Sequence, residues 1–588
     1  MMIFNASTRC LGTNARTNNC RFIKNYSKKE KNTRRRGRRG RRCTNLSDHL
    51  IVITSHDSNN NSNNDIINSS RRRKPTQFEG RILLSSSSSS SINVSKEEFE
   101  EEGDNIKFEK KLYALSLTAC MQMLAFGAAC GCIAGAIVYI DFGNQIILTS
   151  TIKGAIVAAL PLGAAFACLI VGSKYASERF GRKDIFRVAN ALYVLSALMA
   201  AISSSFETLI LARFIGGFAS GISTAITTVF ISECVPAETR GKFTSLSPLF
   251  GTIGLLYAFV SSLIISSLFG LGGGGEVVVA VGGSGFTNSN LHSSLIWRLM
   301  LLVPILPCAV QELIFRLKPD VCPESPRWLA SRGRSLEARK IMENLGQKLP
   351  WNTNEVVGSL ATVDVRPMED SGFVGLFKTA KHIKATSIAC GLNMLQQFCG
   401  INVIVYYAPK ILNSLGYGKR ESILLTVMVA TCQICFGTYL SKKIDVFGRK
   451  TMAMFGICGI IFGCALIAFS FTSSAALNAI NQLTGANSGI LAIIGILIFR
   501  VSFSLSLGPI PYVVSSEVFP KDARSSGVAL ATLVQWLCNV LVTFTFLNFV
   551  DLFGASNVFI AYTFVGVFAL ASVYYLLPET NQTKLEDN

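Results

Sequence analysis

Twelve apolar stretches, each long enough to cross a bilayer, leave this chain very little choice of fold. They cover residues 112–140, 152–173, 185–204, 208–233, 243–269, 297–317, 385–413, 420–443, 451–472, 487–517, 526–550 and 556–577. A hydrocarbon core about 30 Å thick takes about 20 helical residues to span. No water reaches backbone N–H and C=O groups there, so they must be satisfied within the segment itself, which for long apolar runs means a helix. The chain is 49% hydrophobic and 16% charged, against roughly 25% charged in a soluble domain. The expectation is an all-α polytopic membrane protein.

A formal charge of +20 invites a nucleic-acid reading, so its location matters. Residues 1–95 hold 19 Lys and Arg against 5 Asp and Glu. This segment includes RRRGRRGRR at 34–42, an Asn-rich tract at 59–64, RRRK at 71–74 and seven serines at 85–91. Nothing in it can build a core. The expectation for 1–108 is a disordered basic arm resting on anionic lipid. A targeting segment is the alternative, because the first residues are rich in Ser, Thr, Asn and Arg and poor in acid. No nucleic-acid partner is expected, since aromatic residues are not interleaved with the basic ones. The 17 cysteines are mostly inside spans and singly spaced. That pattern gives neither a disulfide framework nor a metal site, and no cofactor is expected. Oligomeric state is not legible.

Lys and Arg crowd alternate connections, at 174–187, 240–242, 318–384, 442–450 and 521–524. The charge bias places those loops, and both termini, on the cytoplasmic side. The chain also repeats itself. ERFGRK at 178–183, after span two, returns as DVFGRK at 445–450 after span eight. SECVPAETR at 232–240 returns as SEVFPKDAR at 516–524, and PESPRWL at 323–329 returns faintly as PET at 578–580. Three echoes in register divide the chain into an arm (1–108), a six-helix half (109–317), a cytoplasmic linker (318–384), a second six-helix half (385–577) and a short tail (578–588). SLEARKIMENL in the linker has helical periodicity.

Span seven is chemically unusual. NMLQQFCGINVIVYYAPKIL at 393–412 carries Gln396, Gln397 and Asn402 inside an apolar run. Gln396, Cys399, Gly400, Val403 and Tyr407 follow a helical repeat, and Asn402 falls within the same half of a continuous helix. Amides in hydrocarbon need partners. These three suit either hydrogen-bonded glue between helices or a ligand covered in hydroxyls, and the residues alone leave both open.

Taken together, PESPRWL, QQFCGINVIVYYAP, the paired acid-x-FGRK loops, GPIPYVVSSEVFP and PETNQTKLE resemble the sugar porter family of the major facilitator superfamily over roughly residues 112–586. The resemblance implies two pseudo-symmetric six-helix halves that bind one sugar between them and expose it to either side in turn. It implies sugar contacts at Gln396, Gln397, Asn402, Gln433, Tyr512, Gln535, Trp536 and Asn539, with Tyr406 and Tyr407 at an outer gate. Glycine repeats at Gly127, Gly131 and Gly135, and at Gly217 and Gly221, are expected to permit rocking contacts.

The amino half departs from the family pattern. Ala129 stands where proton-coupled relatives carry an Asp, opposite Arg213, and Pro248 stands where relatives have a sugar-binding Gln. Facilitated diffusion of a hexose is therefore the leading reading. A proton-coupled sugar or polyol symporter is second, a transporter-like sugar sensor is third, and no enzyme is expected. Arg500 is a lone charge within span ten, read as structural, electrostatic or coupling. Glu178, Arg179, Arg182, Glu233, Arg240, Glu324, Arg327, Asp445, Arg449, Glu517 and Arg524 lie at cytoplasmic span ends. They are expected to pair across the halves as a latch on the inner gate. Pro509 and Pro511 should break span ten. The plasma membrane is the expected location, with a plastid or other organelle envelope as the alternative.

Overall fold

The computed structural model describes residues 96–142, 148–171, 180–236, 238–270, 289–346, 372–441, 448–472, 488–520 and 523–577. Residues 1–95 of the arm, the glycine-rich loop at 271–285, Glu178, Arg179, Asp445 and the tail at 578–588 lie outside them; residues 96–108, expected to be disordered arm, instead open the first helix, Lys96–Ala136. Twelve described helical segments are long and apolar enough to span a membrane: Lys107–Ala136, Ser150–Ile170, Arg182–Ile202, Phe206–Cys234, Arg240–Phe269, Ser294–Leu317, Ala380–Ser414, Lys419–Tyr439, Arg449–Ser470, Gly489–Val518, Ser526–Phe553 and Ala555–Leu576. They match the twelve apolar stretches one for one and are called spans one to twelve. No strand occurs among the described residues.

Local chemistry sets where spans begin. Ser205 accepts the Thr208 N–H at the start of span four, and Thr379 does the same for His382 at the start of span seven. Each cap satisfies one of the donors that a helix start leaves open. Span seven begins five residues earlier than the apolar run suggested, which puts His382 in its first turn. In the linker, Ser335–Asn344 is helical, as its periodicity implied.

The main apolar core runs through both halves, from Ile133, Tyr193 and Trp297 to Tyr407, Ile457 and Phe499. Within the amino half, spans one and five and spans two and four approach at glycines. A methyl on Gly131 would lie 2.7 Å from the Ala258 Cβ, and one on Gly221 2.6 Å from the Ala167 Cβ. These repeats therefore fuse helices of one half; they are not rocking contacts between halves. Between the halves the tight approach is at Gly154, where a Cβ would meet the Phe544 carbonyl oxygen at 2.5 Å.

Candidate functional site

Span seven is not one helix. Gly400 has φ +89°, and the chain is helical over Ala380–Phe398 and again over Ile401–Ser414. A side chain at that backbone angle is strained, and here a Cβ would also touch the Tyr562 ring at 3.2 Å. This corrects the continuous-helix argument for Asn402. The break brings it back onto Gln397, whose side-chain oxygen accepts from the Asn402 amide. Gln397 in turn donates to Gln396 Oε1 at 3.0 Å, and Gln396 donates to the Leu507 and Gly508 carbonyls at 2.6 and 3.2 Å.

The Leu507 carbonyl is free for a reason. Span ten is helical over Ser488–Leu505 and over Ile510–Val518 but not between, because Pro509 and Pro511 lack the N–H donors that would close the helix. The expected break is present. Gln396 therefore ties the interruption in span seven to the interruption in span ten.

The remaining candidates form pairs around this chain of amides. Gln433 donates to Ser504 at 2.8 Å, and Gln535 donates to the half-exposed Tyr512 hydroxyl at 2.6 Å. Trp536 packs against Ala164, Ala165 and Cys168 of span two and meets the Phe126 ring edge-on at 6.2 Å. Asn539 is buried one turn further along span eleven. Gln433 Oε1, Gln535 Oε1, Trp536 Nε1 and Asn539 Oδ1 are buried with no hydrogen-bond partner. Buried polar groups in native proteins are nearly always paired. These four candidate contacts keep hydrogen-bonding capacity that the protein does not use.

Tyr406 and Tyr407 are buried, at 2% and 0% exposure. Tyr406 approaches Cys130 Sγ across the halves at 3.9 Å, and Tyr407 donates to the Thr543 carbonyl at 3.0 Å. Toward the same end, Thr151 donates to Asn548 at 2.8 Å and Lys419 lies over the Tyr139 ring at 5.1 Å. The halves are thus joined at the end opposite the charged motifs.

At the charged end, two acid–base pairs among the described residues each lie within one half. Arg182 grips Glu233 with two bonds of 3.0 Å, and Ser325 donates to the same carboxylate at 2.6 Å. Glu324 caps span three, accepting the backbone N–H groups of Arg182 and Lys183 at 2.8 and 3.1 Å. Burial pushes its carboxyl above the usual range, opposed by N–H donors from Ser325, Lys183 and Arg182. In the other half Arg449 pairs with Glu517 at 3.4 Å. Arg524 reaches the Phe519 carbonyl at 3.4 Å, Arg240 is partly buried with Nε unpartnered, and Arg327 is exposed. Of the expected latch, Glu178, Arg179 and Asp445 lie outside the described residues. Arg182–Glu233 and Arg449–Glu517 brace spans inside a half, because each pair joins the two neighbouring loops of one repeat.

Arg213, 4% exposed, donates to the Ala129 carbonyl at 2.7 Å, and its Nε and NH2 have no partner. Arg500, 3% exposed, lines a small apolar gap with Phe259, Ile404 and Thr426. Sequence reasoning missed a second lattice, in the amino half. Gln122 donates to Asn190 and Gln311, both at 2.7 Å, and accepts from Ser223 at 2.7 Å. Gln311 also donates to the Thr118 carbonyl at 2.8 Å. An amide at position 122 in an apolar run was the available signal, the same one that marked span seven.

The family model for "Sugar (and other) transporter" matches residues 87–588. The chain is 28% identical over 494 residues to plastidic glucose transporter 4 of Arabidopsis thaliana, covering 83% of this chain and 82% of that protein. It is 28% identical to the arabinose-proton symporter of Escherichia coli strain K12, covering 80% and 91%. A partially occluded inward-open structure of the xylose transporter XylE from E. coli superposes with a TM-score of 0.63 at 25% identity, covering 81% of this chain and all of that one. With two six-span repeats, interrupted spans seven and ten, and a family match over most of its length, this chain belongs to the sugar porters of the major facilitator superfamily.

Proposed function

We propose that this protein moves a monosaccharide, most simply a hexose, down its gradient by alternating access. The observation that carries this reading is the set of four unpartnered buried atoms on Gln433, Gln535, Trp536 and Asn539, beside the amide chain of Gln396, Gln397 and Asn402. A sugar's hydroxyls are donors and acceptors at once, and so can meet amide oxygens and an indole N–H together. The plastidic glucose transporter relative supports the hexose. Facilitated diffusion is supported at Arg213, where the facing residue is Ala129, which cannot hold a proton.

A second reading, proton symport, is favoured by relatives named as arabinose- and galactose-proton symporters. Reconstitution in vesicles separates the two. Labelled glucose should equilibrate at the same rate with and without an inward proton gradient. Accumulation above the external concentration would establish symport instead. Ala129→Asp, which restores a carboxylate opposite Arg213, should make uptake at least threefold gradient-sensitive; unchanged uptake would remove position 129 from the coupling argument.

The charged motifs are proposed to set orientation, with both termini cytoplasmic, and to keep each half rigid as it rocks. The basic arm is proposed to contact anionic lipid or to act as a targeting segment. Fluorescent tagging of the full chain and of a form lacking residues 1–95 distinguishes plasma membrane from organelle envelope.

A further inference from the structure

The two halves differ at a position where their repeat calls for likeness. Spans one, five and six of the amino half correspond to spans seven, eleven and twelve. In the first set, Gln311 of span six is bonded to span one through Thr118 and Gln122, and the helices close on each other. In the second, a groove of about 1170 Å³ stands between the helices, walled by Leu395, Phe398, Phe549, Tyr562 and Phe568. Among its lining residues no side-chain hydrogen bond crosses from span seven to span twelve. Phe568 is 66% exposed and Phe549 45%, so the groove opens sideways, where the bilayer lies. On its span-seven side a Cβ added to Gly391 would meet nothing within 4 Å.

Its shape and charge select one kind of occupant. From Lys384 to Phe398 the groove follows span seven for about 21 Å at about 1.5 Å per residue, more than one leaflet of a core roughly 30 Å thick. Its walls are almost wholly apolar. Lys384, exposed at the charged end of the bundle, is the one charged lining residue. Lys378 and Lys381 are exposed just before it, and residues 372–413 contain no Asp or Glu. An apolar trough of chain length that ends at a lysine cluster fits a tail with an anionic head.

We infer that this groove holds one acyl chain of an anionic phospholipid whose phosphate sits on Lys384. The chain supplies between spans seven and twelve the packing that Gln311 supplies between spans one and six. It lies against the stretch of span seven that leads into Gln396, Gln397 and the Gly400 break, so its presence bears on the segment that changes shape.

The test uses the full-length protein in phosphatidylcholine vesicles containing phosphatidylglycerol with a photoreactive acyl chain. Labelled peptides should map to spans seven and twelve. Unlabelled phosphatidylglycerol should compete about fivefold better than phosphatidylcholine, the preference that one lysine near the surface supplies. Lys384→Gln should erase that preference, and Gly391→Phe should remove the labelling. If Gly391→Phe does not fold, Ala561→Phe fills the same groove from span twelve. Equal competition by the two lipids, or labelling untouched by either filling variant, overturns the inference in favour of ordinary bulk lipid. Crosslinks between two copies of the chain overturn it in favour of a self-contact.

Discussion

The amino half satisfies its buried amides with one another, whereas the carboxyl half leaves several of them short of partners. Gln122, Asn190, Ser223 and Gln311 form a closed lattice inside the first half. Gln396, Gln397 and Asn402 form an open chain in the second, beside orphaned atoms on Gln433, Gln535 and Asn539. Backbone continuity follows the same division. Span one lies within one unbroken helix, Lys96–Ala136, while its counterpart, span seven, is interrupted at Gly400. Fully paired amides rigidify a bundle, whereas partly paired ones leave hydrogen-bonding capacity unused.

The harshest way to break this contrast is at the interruption. Gly400→Val places a branched side chain at φ +89° against Tyr562, where the left-handed backbone alone costs about 1–2 kcal/mol. Sugar uptake should fall at least 50-fold. The amino-half control Gly251→Ala, whose added Cβ would stand 3.4 Å from Met123, should keep uptake within twofold. Equal loss in both variants would mean that the halves do not divide the work.

A gentler comparison swaps amides for leucine. Gln396→Leu removes the tie between spans seven and ten together with a candidate sugar contact. Transport efficiency should fall about tenfold, about 1.4 kcal/mol, at normal expression. Gln311→Leu instead strands Gln122 and Asn190, costing about 1–3 kcal/mol of stability. It should lower the melting temperature of the detergent-solubilised protein while leaving the KM for sugar unchanged. A raised KM in the second variant would put the amino lattice in the binding site.

The smallest effect belongs to Tyr512→Phe, which removes only the acceptor of the Gln535 amide. A single neutral hydrogen bond nets about 0.5–1.5 kcal/mol, so the KM should rise about two- to tenfold with little change in maximal rate. An unaltered KM would place Tyr512 and Gln535 outside the sugar path.

Much of this was legible in the chain. The twelve spans follow from hydrophobic length, because a single long apolar run in lipid satisfies its own backbone only as a helix. The two halves are visible as echoed motifs, and the span-ten break follows from prolines at 509 and 511. Gln396 and Gln397 announced themselves as amides in hydrocarbon. Gln122 carried the same signal but was passed over, and its partners Asn190, Ser223 and Gln311 lie on three other spans, 68, 101 and 189 residues away. Motif symmetry says only that acids and bases recur. It does not say whether each finds its partner in its own repeat or in the other.

By itself, then, the sequence determined that the chain is a membrane bundle, where it crosses, how it repeats and which spans carry buried amides. These depend on composition and on contacts close along the chain. The tertiary structure alone decided which amides are satisfied and which are orphaned, that Arg182 pairs with Glu233 and Arg449 with Glu517, and that a groove parts spans seven and twelve. Those outcomes depend on how helices far apart in sequence meet. Hydrophobicity and periodicity place residues on a helix, but only packing chooses the face each one meets.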